Sequence, residues 1–231
     1  MYAIRNRLLI IILLSIIVVP IKSQIGIKGG PALSDIIFTV EGQIPYLGYG
    51  TNSLKSKIPN LTFQFGVFKT FKLSNKLEFQ PEILYVKKGL NYSANYIYDD
   101  ISYLIKIHYL EVPLLLKYNL FNIGKNQLSV LFGPYASYAF KNIRIIETDN
   151  SKIKEKMPNI RNFDLGVTVS LSYNFSLYNK KLVIDLRTSY GLVNILDFEE
   201  RFIPQYYAPT DDLARNVYNV FTLGYFINIG D

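Results

Sequence analysis

The chain has no cysteine in 231 residues. That excludes disulfides, thiolate metal sites and thiol nucleophiles. It has one histidine, His108. A lone imidazole without thiolates argues against a transition-metal centre. Only the N-terminus carries a long apolar run, and no other segment keeps an apolar 3.6-residue period, so helices should be few. No Lys/Arg block concentrates the positive charge, so no nucleic-acid partner is expected. A Gly-rich phosphate loop is missing as well: Gly29 and Gly30 stand in a strand pattern and precede no helix.

What is present begins with an export signal. Arg5 and Arg7 form a basic start, residues 8–19 are apolar, and Pro20 breaks the run before the small residue Ser23. The run is too short to cross a bilayer as a helix, which needs roughly 20 residues. The expected division is a signal peptide at 1–23 and one domain at 24–231. Losing Arg5, Arg7 and Lys22 takes the net charge from +7 to 22 − 18 = +4, a mild value.

The mature part alternates. Over 163–175, Phe163, Leu165, Val167, Val169, Leu171, Tyr173 and Phe175 fall in one phase, and polar or small residues fall in the other. Near the C-terminus, Phe221, Leu223, Tyr225, Ile227 and Ile229 repeat the pattern. This period of two in strand-favouring residues is the signature of β-structure with two unlike faces. Further strands are read at 24–34, 61–73, 77–90, 104–121, 127–141 and 182–195. Short Asn/Lys/Gly/Ser-rich turns fall at 74–76, 122–126 and 178–181, and long polar connections at 35–60, 91–103, 142–161 and 196–216. The fold class is therefore all-β. We expect an eight-stranded antiparallel transmembrane β-barrel with short periplasmic turns and long extracellular loops, integral to an outer membrane.

Alternation alone also suits a soluble barrel with its apolar face inward. Residue size separates the two. The apolar set is bulky on nearly every strand. The other set is rich in Gly66, Gly133, Gly166, Gly224, Ser129, Ser137, Ser170 and Ser172. A narrow eight-stranded interior is filled by side chains and suits such small residues. A water-facing surface would be denser in Lys and Glu. Tyrosines fall at both ends of the apolar face, Tyr85, Tyr138 and Tyr190 toward the long loops and Tyr118, Tyr173 and Tyr225 toward the turns. Membrane interfaces select that placement. Pro81, Pro113 and Pro134 sit inside strands and predict bulges there, while Lys69 and Lys87 conflict with an apolar outer face.

The same phase places Glu78, Glu82, Glu111, Lys117, Asp185 and Arg187 in the lumen. Charges in so narrow a space should pair, either as a plug that fills the barrel or as a polar path. Catalysis has little to build on. His108 has Ser102 and Glu111 near it in sequence, but nothing assembles a nucleophile with an oriented base, so no catalytic or cofactor residue is assigned. Two loops could meet partners: one with Tyr92, Tyr96, Tyr98, Asp99 and Asp100, another with Asp197, Glu199, Glu200, Asp211 and Asp212 against Arg201 and Arg215.

Five segments carry a family resemblance: GIKGGPALS at 26–34, LEFQPEILYVKKG at 77–89, YLEVPLLLKY at 109–118, LFGPYASYAF at 131–140 and LRTSYGLVNI at 186–195. The chain resembles the PorT-type outer-membrane β-barrel family of Bacteroidota-like bacteria over nearly all of its mature length. The resemblance implies an outer-membrane barrel, and for some members a part in type IX protein secretion. It also implies that the strand prolines are family features. One departure is the C-terminus, which ends Asn228-Ile229-Gly230-Asp231 and not on an aromatic residue. The expected role is non-enzymatic, structural or accessory. The expected partners of this monomeric barrel are outer-membrane lipid and, through the resemblance, secretion-machinery proteins. The rival role is a small-solute channel or ligand-binding barrel.

Overall fold

The computed structural model describes residues 23–38, 54–95, 100–124, 126–148, 151–156, 160–178, 180–195 and 214–227. The expected signal segment lies outside them except for Ser23, and so do Tyr96, Tyr98, Asp99 and the acidic stretch that holds Asp197, Glu199, Glu200, Arg201, Asp211 and Asp212. Among the described residues nine strands follow in chain order: β1 Ser23–Phe38, β2 Leu54–Lys72, β3 Leu77–Asn95, β4 Asp100–Ile123, β5 Asn126–Thr148, β6 Ser151–Glu155, β7 Phe163–Leu177, β8 Lys180–Gly191 and β9 Ala214–Ile227. No helix occurs among the described residues.

Eight of these strands close a wall. Each pairs antiparallel with its neighbours in the cyclic order β1-β2-β3-β4-β5-β7-β8-β9, and β9 returns to β1. Closure satisfies backbone groups between strands, which is what lets strands cross hydrocarbon. The ninth strand stands outside the wall. β6 pairs only with the end of β5, from Arg144↔Glu155 to Thr148↔Ser151. It makes a hairpin that rises from the long-loop end.

The strands outrun their expected ends. β3 and β4 continue through most of the expected 91–103 connection, leaving 96–99 between them, and β5 with β6 takes up much of 142–161. Cross-strand partners such as Tyr92↔Tyr103 explain the extension. Their rings stack at 4.7 Å, a contact between segments that each look like polar loop. The three tight turns fall where expected. One of them holds Gly124 at φ +60°, the left-handed conformation that two-residue hairpins require.

The faces are unlike. Outward positions include Phe63, Phe65, Ile83, Leu114, Phe132, Leu165, Leu171, Leu186 and Leu223, all exposed. A contiguous apolar surface of that extent is a lipid-facing band, not a water-facing one. Tyr85, Tyr138 and Tyr190 lie in the outward phase toward the long-loop end, and Tyr118, Tyr173 and Tyr225 in that phase toward the turns. Lys69 and Lys87 also point outward, with their ammonium groups over Phe71 and Phe63. They are long-stemmed cations reaching across rings, and the register is not flipped at either.

The expectation of bulges at the strand prolines is corrected. Pro81↔Leu114 and Leu84↔Glu111 keep one register across the gap between them, as do Pro113↔Tyr135 and Leu116↔Phe132. Proline removes a donor and interrupts the ladder there without shifting it. The irregularities lie elsewhere, between Leu54/Ser56 and Pro59/Gln64 on β2 and between His108/Tyr109 and Asn119/Phe121 on β4. At the third of these, Tyr109 faces Ala139 and His108 faces Lys141, so Phe140 is the extra residue.

Candidate functional site

The interior is layered. At the turn end, Lys117 Nζ lies 3.1 Å from Glu78 Oε2, and Asn119 Nδ2 donates to Glu78 Oε1 at 3.2 Å. Glu78 is the one partly open member of this pair.

The middle layer is fully enclosed. Arg187 grips Glu82 with both terminal nitrogens, at 2.8 and 2.9 Å. This is the fork-on-fork geometry that makes Arg–carboxylate pairs strong. Lys28 Nζ donates to Glu82 Oε1 at 2.6 Å and to Asp185 Oδ2 at 3.0 Å. Gln80 Nε2 adds a fourth donor to Glu82 at 2.7 Å. Two cations therefore face two carboxylates brought from β1, β3 and β8. Neutrality and several hydrogen bonds offset the desolvation that would otherwise forbid the group.

A third layer lies closer to the loops. Lys88 Nζ sits 2.8 Å from Glu111 Oε2 and 3.2 Å from Asp164 Oδ2. Three tyrosine rings surround that ammonium, with centroids at 4.4 Å (Tyr135), 5.1 Å (Tyr109) and 5.9 Å (Tyr218). Rings at this range stabilise a desolvated cation. Ser137 Oγ donates to Glu111 at 2.9 Å, and Tyr135 Oη and Asn216 Nδ2 donate to Asp164 at 3.2 and 2.9 Å. Gly166 makes the room: it pairs with Tyr135, and a Cβ there would meet the Tyr135 ring at 2.5 Å.

Beyond Lys88 the lumen becomes apolar. Leu90, Tyr103, Ile105, Ile107, Ile36 and Ile195 are buried together at the loop end. The expected inward set, rich in small residues with a few charges, does not include this apolar layer. Where the strands rise past the apolar band, the two faces exchange character. On β4 the outward set changes from Leu110, Val112 and Leu114 to His108 and Lys106, while the inward set changes from Lys117 and Glu111 to Ile107 and Ile105. Strand surrounded by water hides apolar side chains inside, and strand surrounded by lipid hides polar ones.

All six expected lumen charges point inward, yet they do not form one group. Glu82, Asp185 and Arg187 share the middle layer, Lys117 pairs with Glu78, and Glu111 belongs with Lys88. The expected charge network omits Lys28, Lys88 and Asp164, although Asp164 falls on the polar face of the 163–175 alternation. The available signal was parity: Lys88 shares the phase of Glu82, and Asp164 that of Ser170 and Ser172. His108 and Glu111 lie on opposite faces of β4, so they do not meet. The His108 Nδ1 is 2.5 Å from Tyr85 Oη, on the outer surface. Among the described residues no group of three or more His, Asp or Glu is placed to hold a metal ion.

The chain is similar to several solved structures. The attachment invasion locus protein Ail of Yersinia pestis is 12% identical, with a TM-score of 0.42 and 90% of this chain and 100% of that chain covered. The outer membrane protein OprG of Pseudomonas aeruginosa is 11% identical, with a TM-score of 0.42 and coverages of 89% and 96%. Neisserial surface protein A is 9% identical, with a TM-score of 0.39 and coverages of 87% and 96%. No curated protein matches the sequence. The family model for the outer membrane protein beta-barrel domain matches residues 15–197, more than half of the chain. This chain belongs to that family and is an integral β-barrel of the outer membrane.

Proposed function

We propose that this protein is a closed, monomeric, non-enzymatic barrel with a structural or accessory role, acting through the surfaces it raises above the outer membrane. The observation that carries this reading is the filled lumen: three layers of paired charge are followed by an apolar layer. The PorT-type resemblance supplies the pathway, type IX protein secretion, and makes secretion-machinery proteins the partners. Two measurements test it. Planar bilayers holding the pure barrel should show no steady conductance, and cross-linking in native membranes should capture secretion components. A stable porin-sized conductance refutes the closed barrel, and intact secretion in a deletion strain refutes the pathway.

One observation favours a second reading, a ligand-binding barrel or small-solute channel. Asp185 Oδ1, Arg187 Nε and both side-chain ends of Gln64 are buried without hydrogen-bond partners. Such atoms call for water, and a hydrated seam could pass small ions. Low, salt-dependent conductance that changes in Arg187→Gln would support this reading over the first.

A further inference from the structure

Just above the outer aromatic residues, the outside of β3, β4 and β5 carries cations and, among the described residues, no matching anion. Lys87 pairs across the sheet with His108, and His108 with Lys141, so the three stand in one row. Lys106 follows His108 on the same face of β4, two residues closer to the loops. Its cross-strand neighbour is Gly89, which has no side chain to separate it from Lys87. Lys87, Lys106 and Lys141 are all within electrostatic reach of the His108 ring. The ion pairs among the described residues lie in the lumen or on the β5–β6 hairpin, and none involves these lysines. Three lysines gathered about one imidazole with no anion among them repel one another, so the arrangement calls for an anion from outside.

The surface directly below is aromatic. Phe65 and Tyr85 stack at 5.0 Å, Phe63 lies 5.7 Å from Tyr85, and Phe140 lies 6.1 Å from Tyr85 and 6.2 Å from His108. Phe63, Phe65 and Phe140 are exposed on the lipid side. The Phe140 bulge is the local device that joins the two zones. It places Phe140 and Lys141, neighbours in sequence, on the same outer face. At about 3.3 Å per residue, Lys87 lies roughly 7 Å along the strand from Tyr85, about 5 Å higher once a barrel strand's tilt is counted, the step from acyl chain to headgroup.

We propose that this face is a binding site for an anionic phosphoglycolipid of the outer leaflet. Its phosphate sits among Lys87, Lys106, Lys141 and His108, and its acyl chains lie along Phe63, Phe65, Tyr85 and Phe140. A zwitterionic lipid brings its own ammonium and leaves the lysines unmatched, which is why the occupant is a net anion. The proposal rests on the outer-membrane location and not on the accessory role, so either can fail without the other.

The test uses the full barrel in zwitterionic detergent, with diphosphoryl lipid A as probe and native mass spectrometry to count bound lipid. The triple variant Lys87→Gln, Lys106→Gln, Lys141→Gln removes charge from outward positions and keeps the stems. At the usual contribution of a lysine beside an anionic lipid surface, it should bind about a hundredfold more weakly. The pair Lys152→Gln, Lys154→Gln on β6 should bind like wild type. Dephosphorylated lipid A should bind wild type poorly, a comparison that needs no variant to fold. Equal binding by the triple variant, or equal binding of the dephosphorylated lipid, overturns the proposal. So does displacement by millimolar inorganic phosphate, which would mark a free-phosphate site instead.

Discussion

Removing charge from the middle layer of the lumen should destabilise the barrel in a definite order. Arg187 and Glu82 have side chains only 1% and 0% exposed, so solvent screens neither. Breaking a buried pair by deleting one partner costs roughly 3–5 kcal/mol. In Arg187→Met, Glu82 keeps Lys28 at 2.6 Å and Gln80 at 2.7 Å, so the loss belongs at the low end, about 3 kcal/mol. In Lys28→Met, Asp185 loses its one hydrogen-bond partner among the described residues and Glu82 one of its cations, so the loss belongs nearer 5 kcal/mol, on the order of the upper limit. The double variant Arg187→Met, Glu82→Leu removes the pair together, leaves Lys28 on Asp185, and should recover most of the loss. Urea unfolding in detergent micelles reads this out, followed by circular dichroism and by the gel mobility of unboiled samples. With a typical urea dependence, the Arg187→Met midpoint should fall by roughly 1–3 M. Unfolding of Arg187→Met at the wild-type urea concentration, or a double variant weaker than both single ones, would rule out a stabilising buried pair. Lys152→Ala serves as the control. Its side chain is 63% exposed in a surface pair with Glu147, and its loss should cost at most about 0.5 kcal/mol.

Other expectations are simpler. Gly166→Val should prevent stable folding, because a Cβ there would lie 2.2 Å from the Tyr190 carbonyl oxygen and 2.5 Å from the Tyr135 ring; a wild-type unfolding midpoint would contradict this. Gly124→Ala meets no atom within 4 Å and should lose only about 1 kcal/mol, from the left-handed backbone at φ +60°, measured in the same assay. Since the chain has no cysteine, single cysteines report topology cleanly. Ser151→Cys in the β5–β6 hairpin should react with an impermeant maleimide on intact cells, while Asn75→Cys in a tight turn should react only after the outer membrane is opened.

The eight-stranded wall was legible because β5, β7 and β9 alternate with high contrast through the lipid-facing zone. Legibility ended where contrast did. Around Leu104, Ile105 and Ile107 both phases hold apolar residues, so period two disappears just where the strands leave the membrane and exchange faces. Segment 91–103 therefore looks like a loop, although Tyr92 and Tyr103 pack inside it. The Lys87-Lys88 doublet hides one inward and one outward cation, and composition cannot say which is which. Lys28 sits among Gly26, Gly29 and Gly30, small residues that give no face a character. The bulge at Phe140 leaves no mark in the sequence, because it follows from which partners Tyr109 and His108 take across the sheet. The lumen carboxylates were readable by phase; their sorting into separate layers depends on which strands meet across the barrel, and no local pattern contains that.

The apolar layer around Leu90, Ile105, Ile107 and Ile195 has a consequence for how the barrel meets its two compartments. It corks the vessel at the cell-surface end, while the opposite end, at Glu78, stands slightly ajar. If the lumen is closed as proposed, water and protons that reach the inner charges come from the periplasm. A sudden change of acidity or salt outside the cell meets oil first, so the ions that brace the wall take their conditions from the sheltered side. On that proposal the barrel is a one-way insulated fitting, steady toward a variable exterior and in equilibrium with the periplasm.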